Sequence, residues 1–293
     1  MSLVRYARVG MAFLLALPSM VVTGLLLLVT AWASSPLQHS RKIAPYRQWA
    51  LDRFAKWWNW FATRVLMGWL MGVRIEIEGP VPVFTRNESI AILANHPSSL
   101  AIPVFFWFIT HRITSRFRIT MKKQHRHNPI IGASLARSNS AVFIDREGGP
   151  AELAALRQEM SRALDQPGAV ILYCDGRRPS EERIAASRVA VEKSLGIALP
   201  DFKHTLVPKR GGSFALVAEA GAKGRRVFLL TTAFNFRDER ATDAFRAVGS
   251  TIHLRLTEAT HIPLESERTF GLWLINRFAD MNRWIETKRA KPR

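Results

Sequence analysis

From Val9 to Ala33 the chain carries no charged side chain, a run of 25 residues dominated by Leu, Val, Ala, Met and Phe. A helix of about 20 such residues spans the hydrocarbon of a bilayer. A chain that begins this way either keeps the run as a membrane anchor or loses it. Arg5 and Arg8 precede the run and His39, Arg41, Lys42 and Arg47 follow it, so the flanking charge orients a span only weakly. A cleaved signal peptide competes with the anchor, because Ala31-Trp32-Ala33 before Ser34 resembles a small-residue cleavage site. The anchor is preferred, since the run exceeds the roughly 7 to 15 residues of an ordinary signal-peptide apolar region. Pro18 and Gly24 do not exclude a spanning helix.

Beyond the run lies enough chain for one α/β domain. With 48% hydrophobic and 22% charged residues, the polymer can bury enough surface to offset its ordering entropy, which excludes a disordered chain. The 42 Lys+Arg against 23 Asp+Glu give a formal charge of +19, pointing to an anionic partner: nucleic acid, an anionic membrane surface, or a phosphorylated substrate. No helix-turn-helix, RNP or zinc-finger pattern accompanies the charge, so nucleic acid is not expected. Cys174 is the single cysteine, which excludes an internal disulfide. No HExxH or other ligand cluster occurs, so no metal is expected.

Two further segments have membrane-surface character. Trp49, Trp57, Trp58, Trp60 and Trp69 are interleaved with Arg53, Lys56 and Arg64, and Phe54, Trp58, Phe61, Val65 and Trp69 recur at helical spacing. Trp favours the headgroup boundary, where ring and N–H are both accommodated. At the other end Leu272, Trp273, Ile275, Phe278, Trp284 and Ile285 alternate with Arg277 and Arg283 before a basic tail. Such a segment can lie on an anionic surface or serve as a solvated last helix. The expected organisation is an anchor at 1–40, an aromatic interface helix at 41–72, an α/β domain at 73–267 and a basic amphipathic segment at 268–293.

Within the domain, strands are expected at Val73–Glu78, Ser89–Ala94, Ala141–Ile144, Ala169–Tyr173 and Val227–Phe234. Helices are expected near Pro103–Ile109, Ala151–Leu164 and Phe214–Ala220. Strands alternating with helices imply a mostly parallel sheet flanked by helices. Sites in such sheets form at the carboxyl ends of strands. His96 follows the strand ending at Ala94, Asp145 and Arg146 follow Ile144, and Asp175, Gly176, Arg177 and Arg178 follow Tyr173. Each alone has a bland reading: a hydrogen-bonded structural His, a surface ion pair, an Asp-Gly turn.

Together, in this order, the blocks resemble the glycerophospholipid acyltransferase family, which includes the acylglycerol-phosphate acyltransferases. Asn95-His96-Pro97-Ser98-Ser99, Gly132 to Phe143-Ile144-Asp145-Arg146, Tyr173-Cys174-Asp175-Gly176-Arg177-Arg178 and Leu206-Val207-Pro208 correspond to its four blocks. The resemblance covers about Ile75 to Ala233 and implies a glycerol-phosphate-acyltransferase-like fold behind an N-terminal membrane helix. It implies transfer of a fatty acyl group from acyl-CoA or acyl carrier protein to the hydroxyl of a lysophosphatidate-like lysophospholipid, with no permanently bound cofactor. His96 would be the general base, with Asp175 as the carboxylate of the third block. Arg146 and Arg178 would hold the acceptor's phosphate, with Asn95, Ser98, Gly176, Arg177 and Pro208 also lining its site. Lys209 and Arg210 would face the phosphates of the acyl donor. A cytoplasmic-side domain behind a single-pass anchor is the corresponding location.

Two departures stand out. Five residues after His96, where the family has Asp, this chain has Ala101, and Asp175 replaces the family's Glu. An orienting carboxylate normally fixes the imidazole's tautomer and favours its cation. Another acid, Asp145 or Asp175, could serve His96, the base could work unassisted and slowly, or the chain is a silent lipid-binding relative.

Overall fold

The computed structural model describes residues 3, 4, 6–12, 14, 15, 18, 22, 25, 29, 44–96, 101–127, 135, 136, 139–144, 149–235 and 244–289. Seven strands, β1 (Arg74–Glu78), β2 (Ser89–Ala94), β3 (Phe117–Lys122), β4 (Ala141–Ile144), β5 (Gly168–Tyr173), β6 (Val227–Phe234) and β7 (Thr251–Glu258), make one sheet. Their order is β1-β7-β6-β2-β5-β3-β4, parallel throughout except for the β6–β7 pair. The helices are α1 (Ala44–Trp60), α2 (Ile102–Phe108), α3 (Gly149–Leu164), α4 (Glu181–Leu195), α5 (Arg210–Ala222), α6 (Ala244–Ala247) and α7 (Glu267–Arg289). The expected α/β fold with a mostly parallel sheet is the one observed.

Strand parity divides the core. Ile90, Ile92 and Ala94 of β2 and Ala169 and Ile171 of β5 pack with Val104, Phe105, Trp107 and Phe108 of α2. Ala91 and Leu93 of β2 and Val170 and Leu172 of β5 face the other way, onto Leu156 and Met160 of α3 and Leu216 of α5. Both central strands are covered on both faces, which is why they read as unbroken apolar runs. β2 leads into α2 on one face, while the chain after β5 leads to α5 on the other. Opposite departure from adjacent strands marks the place, outside their carboxyl ends, where doubly wound sheets have their ligand crevice.

β3 and α4 carry weak sequence signals. β3 interleaves Arg118, Thr120 and Lys122 with its apolar positions. α4 buries only Ile184 and Leu195, so no apolar stripe marks it. Its ends are set by capping instead. The Ser180 hydroxyl accepts from Arg183 N–H at 3.3 Å, Glu181 and Glu182 occupy the first turn, and Gly196 stops the helix at φ 67°.

The aromatic segment folds as helix, and Trp58 and Phe61 of its aromatic stripe pack partly against the core. Leu51, Ala62, Leu66, Met67 and Leu70 go inward, while Trp69 of the expected stripe is 77% exposed. The cause is a π-type stretch over Phe61–Leu70, in which Met71 N–H donates to Leu66 C=O at 3.1 Å, five residues back. That wider turn rotates the later residues out of phase with a 3.6-residue period. Trp49, Trp57 and Trp60 are exposed as well.

The uncharged N-terminal run lies mostly outside the described residues. Among the described residues no helix is long and apolar enough to cross a membrane, so the expected span is not seen. At the start of the run Val9 and Ala12 are buried in the core that also holds Leu70, Met71 and Val73. Leu14, Val22, Leu25 and Val29 are exposed. The C-terminal amphipathic segment becomes α7, and its apolar side is turned inward, with Phe270, Leu274, Ile275 and Phe278 part of the core.

Candidate active site

β2 ends at Ala94, and Asn95 and His96 follow at its carboxyl end. The Asn95 amide donates to Thr232 C=O at 3.0 Å, while its oxygen accepts from Thr232 N–H at 2.9 Å. It thereby pairs with β6 as a further rung of the ladder would, which satisfies buried backbone groups where the strand stops. His96 projects from this fixed point and is half-buried.

Adjacent β5 delivers Asp175. Its carboxylate, 1% exposed, accepts the His96 backbone N–H with both oxygens, at 2.8 and 3.0 Å. A buried carboxylate needs such partners to remain ionised. The turn that presents it is closed by Gly176 N–H donating to Tyr173 C=O at 3.1 Å, with Gly176 at φ 67°. That left-handed conformation is open to glycine at no steric cost. Asp175 thus fixes the main chain that carries the imidazole.

Tyr173 completes the pair from below. Its ring lies 4.8 Å from the His96 ring and 5.3 Å from that of Phe105, on the α2 side of the sheet. Burial raises the pKa of the phenol, and the Asp175 charge adds to the shift. The hydroxyl has no hydrogen-bond partner among the described residues. Tyr173 was not singled out for a role by the sequence, although it belongs to the third block. The available signal was parity, since it shares a face of β5 with Ala169 and Ile171.

The remaining site residues are distributed around this centre. Arg177 and Arg178 are exposed after the Gly176 turn, and the Arg178 C=O accepts from Arg183 at 3.4 Å. Pro208 is buried, and the segment it belongs to is tied to the third block by Lys209 N–H donating to Cys174 C=O at 2.8 Å. Lys209 is exposed. The side chain of Arg210 lies instead against Gly271 of α7 and donates to Ser194 Oγ at 3.4 Å. A Cβ at Gly271 would meet Arg210 Cδ at 2.3 Å. Ser98, Asp145 and Arg146 lie outside the described residues. The Cys174 thiol is pushed up to about 12 by burial, opposed by a hydrogen bond with Ser213, so it stays protonated and is no nucleophile.

Ala101, where the orienting Asp was expected, is 0% exposed at the head of α2, inside the core beneath the site. Its methyl fills apolar space. Among the described residues Asp175, just past β5, lies next to His96, and its carboxylate accepts from the His96 main chain.

The acyltransferase family model matches residues 74–231, more than half of the chain. The chain belongs to the acyltransferase family. Among solved structures it is similar to the 1-acyl-sn-glycerophosphate (LPA) acyltransferase PlsC from Thermotoga maritima, with 13% identity and a TM-score of 0.46. That similarity covers 92% of this chain and 99% of the other. No curated protein matches the sequence. The matched region of this acyltransferase begins with β1 and ends within β6. It therefore contains His96, Asp175 and Pro208.

Asp175→Asn is expected to lower stability by about 1 to 3 kcal/mol, because a buried ionic acceptor becomes a neutral amide facing an N–H. Denaturant titration measures the loss. Acyl transfer should fall with it under native conditions, since the His96 main chain loses its anchor. Unchanged stability would show that the carboxylate is dispensable.

Proposed function

We propose that this acyltransferase transfers a fatty acyl group from acyl-CoA or acyl carrier protein to the hydroxyl of a lysophosphatidate-like lysophospholipid, with His96 as general base. The reading is carried by the meeting of His96 and Asp175 at the carboxyl ends of β2 and β5. Neutral imidazole takes the proton of the acceptor hydroxyl as its oxygen bonds to the thioester carbon. The C–S bond breaks, and the imidazolium returns the proton to the leaving thiolate. Arg178 and Arg146 hold the acceptor's phosphate as bidentate forks, and Arg177 and Lys209 add positive field for the donor. Asn95 and Asp175 act on the main chain around the imidazole, the one through β6 and the other through the His96 N–H.

The membrane belongs to the same reading. The 25-residue uncharged run, the exposed Leu14, Val22, Leu25 and Val29, and the exposed Trp49, Trp57, Trp60 and Trp69 support docking against an anionic lipid surface. The catalytic domain is placed on the cytoplasmic side, where acyl-CoA and acyl carrier protein occur. A second reading, a slow or silent lipid-binding relative, is favoured by the apolar burial of Ala101. Purified protein given labelled acyl-CoA or acyl carrier protein and a panel of lysophospholipids decides between them. Diacyl product detected by mass spectrometry is expected, and its absence from every donor–acceptor pair would favour the silent relative.

A further inference from the structure

At the amino ends of the strands, opposite His96, lies a cleft of about 650 Å³ between α1 and the segments that lead into β2, β3 and β5. Trp49, Asp52, Arg53 and Lys56 lie at positions i, i+3, i+4 and i+7 of α1, a single helix face. Arg86 and Asn87 lead into β2, Thr114 to Arg116 lead into β3, and Pro167 leads into β5. At about 3.3 Å per residue, the length of β2 separates this cleft from the acyl-transfer site.

The floor is built by close backbone contact. Arg116 C=O accepts from Ala169 N–H at 3.0 Å, and Glu88 C=O accepts from Gly168 N–H at 2.9 Å. Gly168 sits at φ 135°, where a Cβ would come within 2.8 Å of the Arg116 carbonyl oxygen. The lead-ins to β2 and β3 are thus pinned to the start of β5, which fixes where Arg86 and Arg116 emerge.

Charge in the cleft is unbalanced. Four cationic side chains, Arg53, Lys56, Arg86 and Arg116, share it with one carboxylate, Asp52. Asp52 is paired with Arg116 at 3.1 Å, and Arg53 lies over the Trp49 ring at 5.1 Å. Among the described residues neither Lys56 nor Arg86 has an ion-pair or hydrogen-bond partner. The field reaches inward: His111 has its pKa lowered, first by burial and then by Lys56. Convergent like charges repel, and an anion among them removes that cost. Three guanidinium forks, an ammonium group, an amide and two hydroxyls form a donor set suited to the several oxygens of a phosphoryl group.

We propose that this cleft is a second anion site of the protein, binding a phosphoryl group, either on a lipid headgroup or on a small phosphorylated molecule. Binding here does not depend on the acyl-transfer reading. The full chain in detergent is titrated with inorganic phosphate, at ionic strength held constant with chloride, and followed by thermal unfolding. In parallel it is floated with phosphatidylcholine vesicles with and without phosphatidylglycerol. Lys56→Ala/Arg86→Ala is expected to weaken binding of the responding probe by on the order of tenfold, the equivalent of 1.4 kcal/mol. A charge-matched control, Arg162→Ala/Lys193→Ala, on α3 and α4, should change it by less than about twofold. Saturable stabilisation by phosphate, sensitive only to the cleft variant, assigns a small phosphorylated ligand. A phosphatidylglycerol-dependent vesicle effect, with the same sensitivity and without phosphate stabilisation, assigns a headgroup. Equal loss in both double variants, or no response to either probe, would overturn the site.

Discussion

Replacing His96 with alanine is expected to reduce acyl transfer from thioester to lysophospholipid by on the order of 10² to 10⁴-fold, the usual contribution of a positioned general base. The ring is half-buried just past the carboxyl end of β2, where a doubly wound sheet has its ligand crevice, and contacts that hold this corner run through the Asn95 amide and the His96 N–H. Both survive in the variant. Folding and pelleting with membranes should therefore be retained while product disappears. Transfer at the wild-type rate by a folded His96→Ala protein would mean that the proton goes elsewhere. The expected size of the effect also bears on Ala101: a base that works without a tautomer-fixing acid has less rate to lose, so the lower end of the range corresponds to an unassisted imidazole.

Asn282→Ala is expected to be the most destabilising polar substitution outside that crevice. The side chain is buried on α7, and its oxygen accepts from the N–H groups of Lys203, His204 and Thr205 at 3.1, 2.8 and 3.2 Å. Its nitrogen donates to Thr205 Oγ1 at 2.7 Å and Phe278 C=O at 2.9 Å. Alanine would leave those donors facing a small void. At about 1 to 3 kcal/mol for each unsatisfied buried group, a loss of about 3 kcal/mol or more follows. Chemical denaturation measures it, and a loss below about 1 kcal/mol would show that water replaces the amide. The anchored segment continues into Val207 and Pro208, and Lys209 N–H binds Cys174 C=O. Turnover is accordingly expected to fall at temperatures where the protein remains folded.

Much of the sheet was legible because its central strands are buried on both faces. Ser89–Ala94 and Val227–Phe234 have the expected limits, since continuous apolar runs bounded by polar residues leave little freedom of assignment, and the short apolar run Ala141–Ile144 at the sheet's edge has them too. β7 was missed although its alternation of Ile252, Leu254 and Leu256 with His253 and Arg255 is a strand pattern and a turn at Gly249-Ser250 precedes it. The aromatic stripe of α1 runs on through a π-type turn, which has no signature in residue spacing, so Trp69 is exposed while Trp58 and Phe61 pack partly against the core.

At the site, placing His96 and Asp175 each just past the end of a strand put both at the same edge of the sheet, because the strands of a parallel sheet end on one side. Their work was not legible. That Asn95 pairs with Thr232 depends on β6 lying beside β2, a neighbour 137 residues away. That Asp175 binds the His96 N–H depends on β5 lying on the other side. Sequence alone settled which chemical groups stand at the ends of which strands, because burial and chain stiffness dictate strands locally. Only the tertiary structure decided what those groups touch, because a hydrogen bond is made over about 3 Å between atoms whose separation along the chain says nothing of their separation in space.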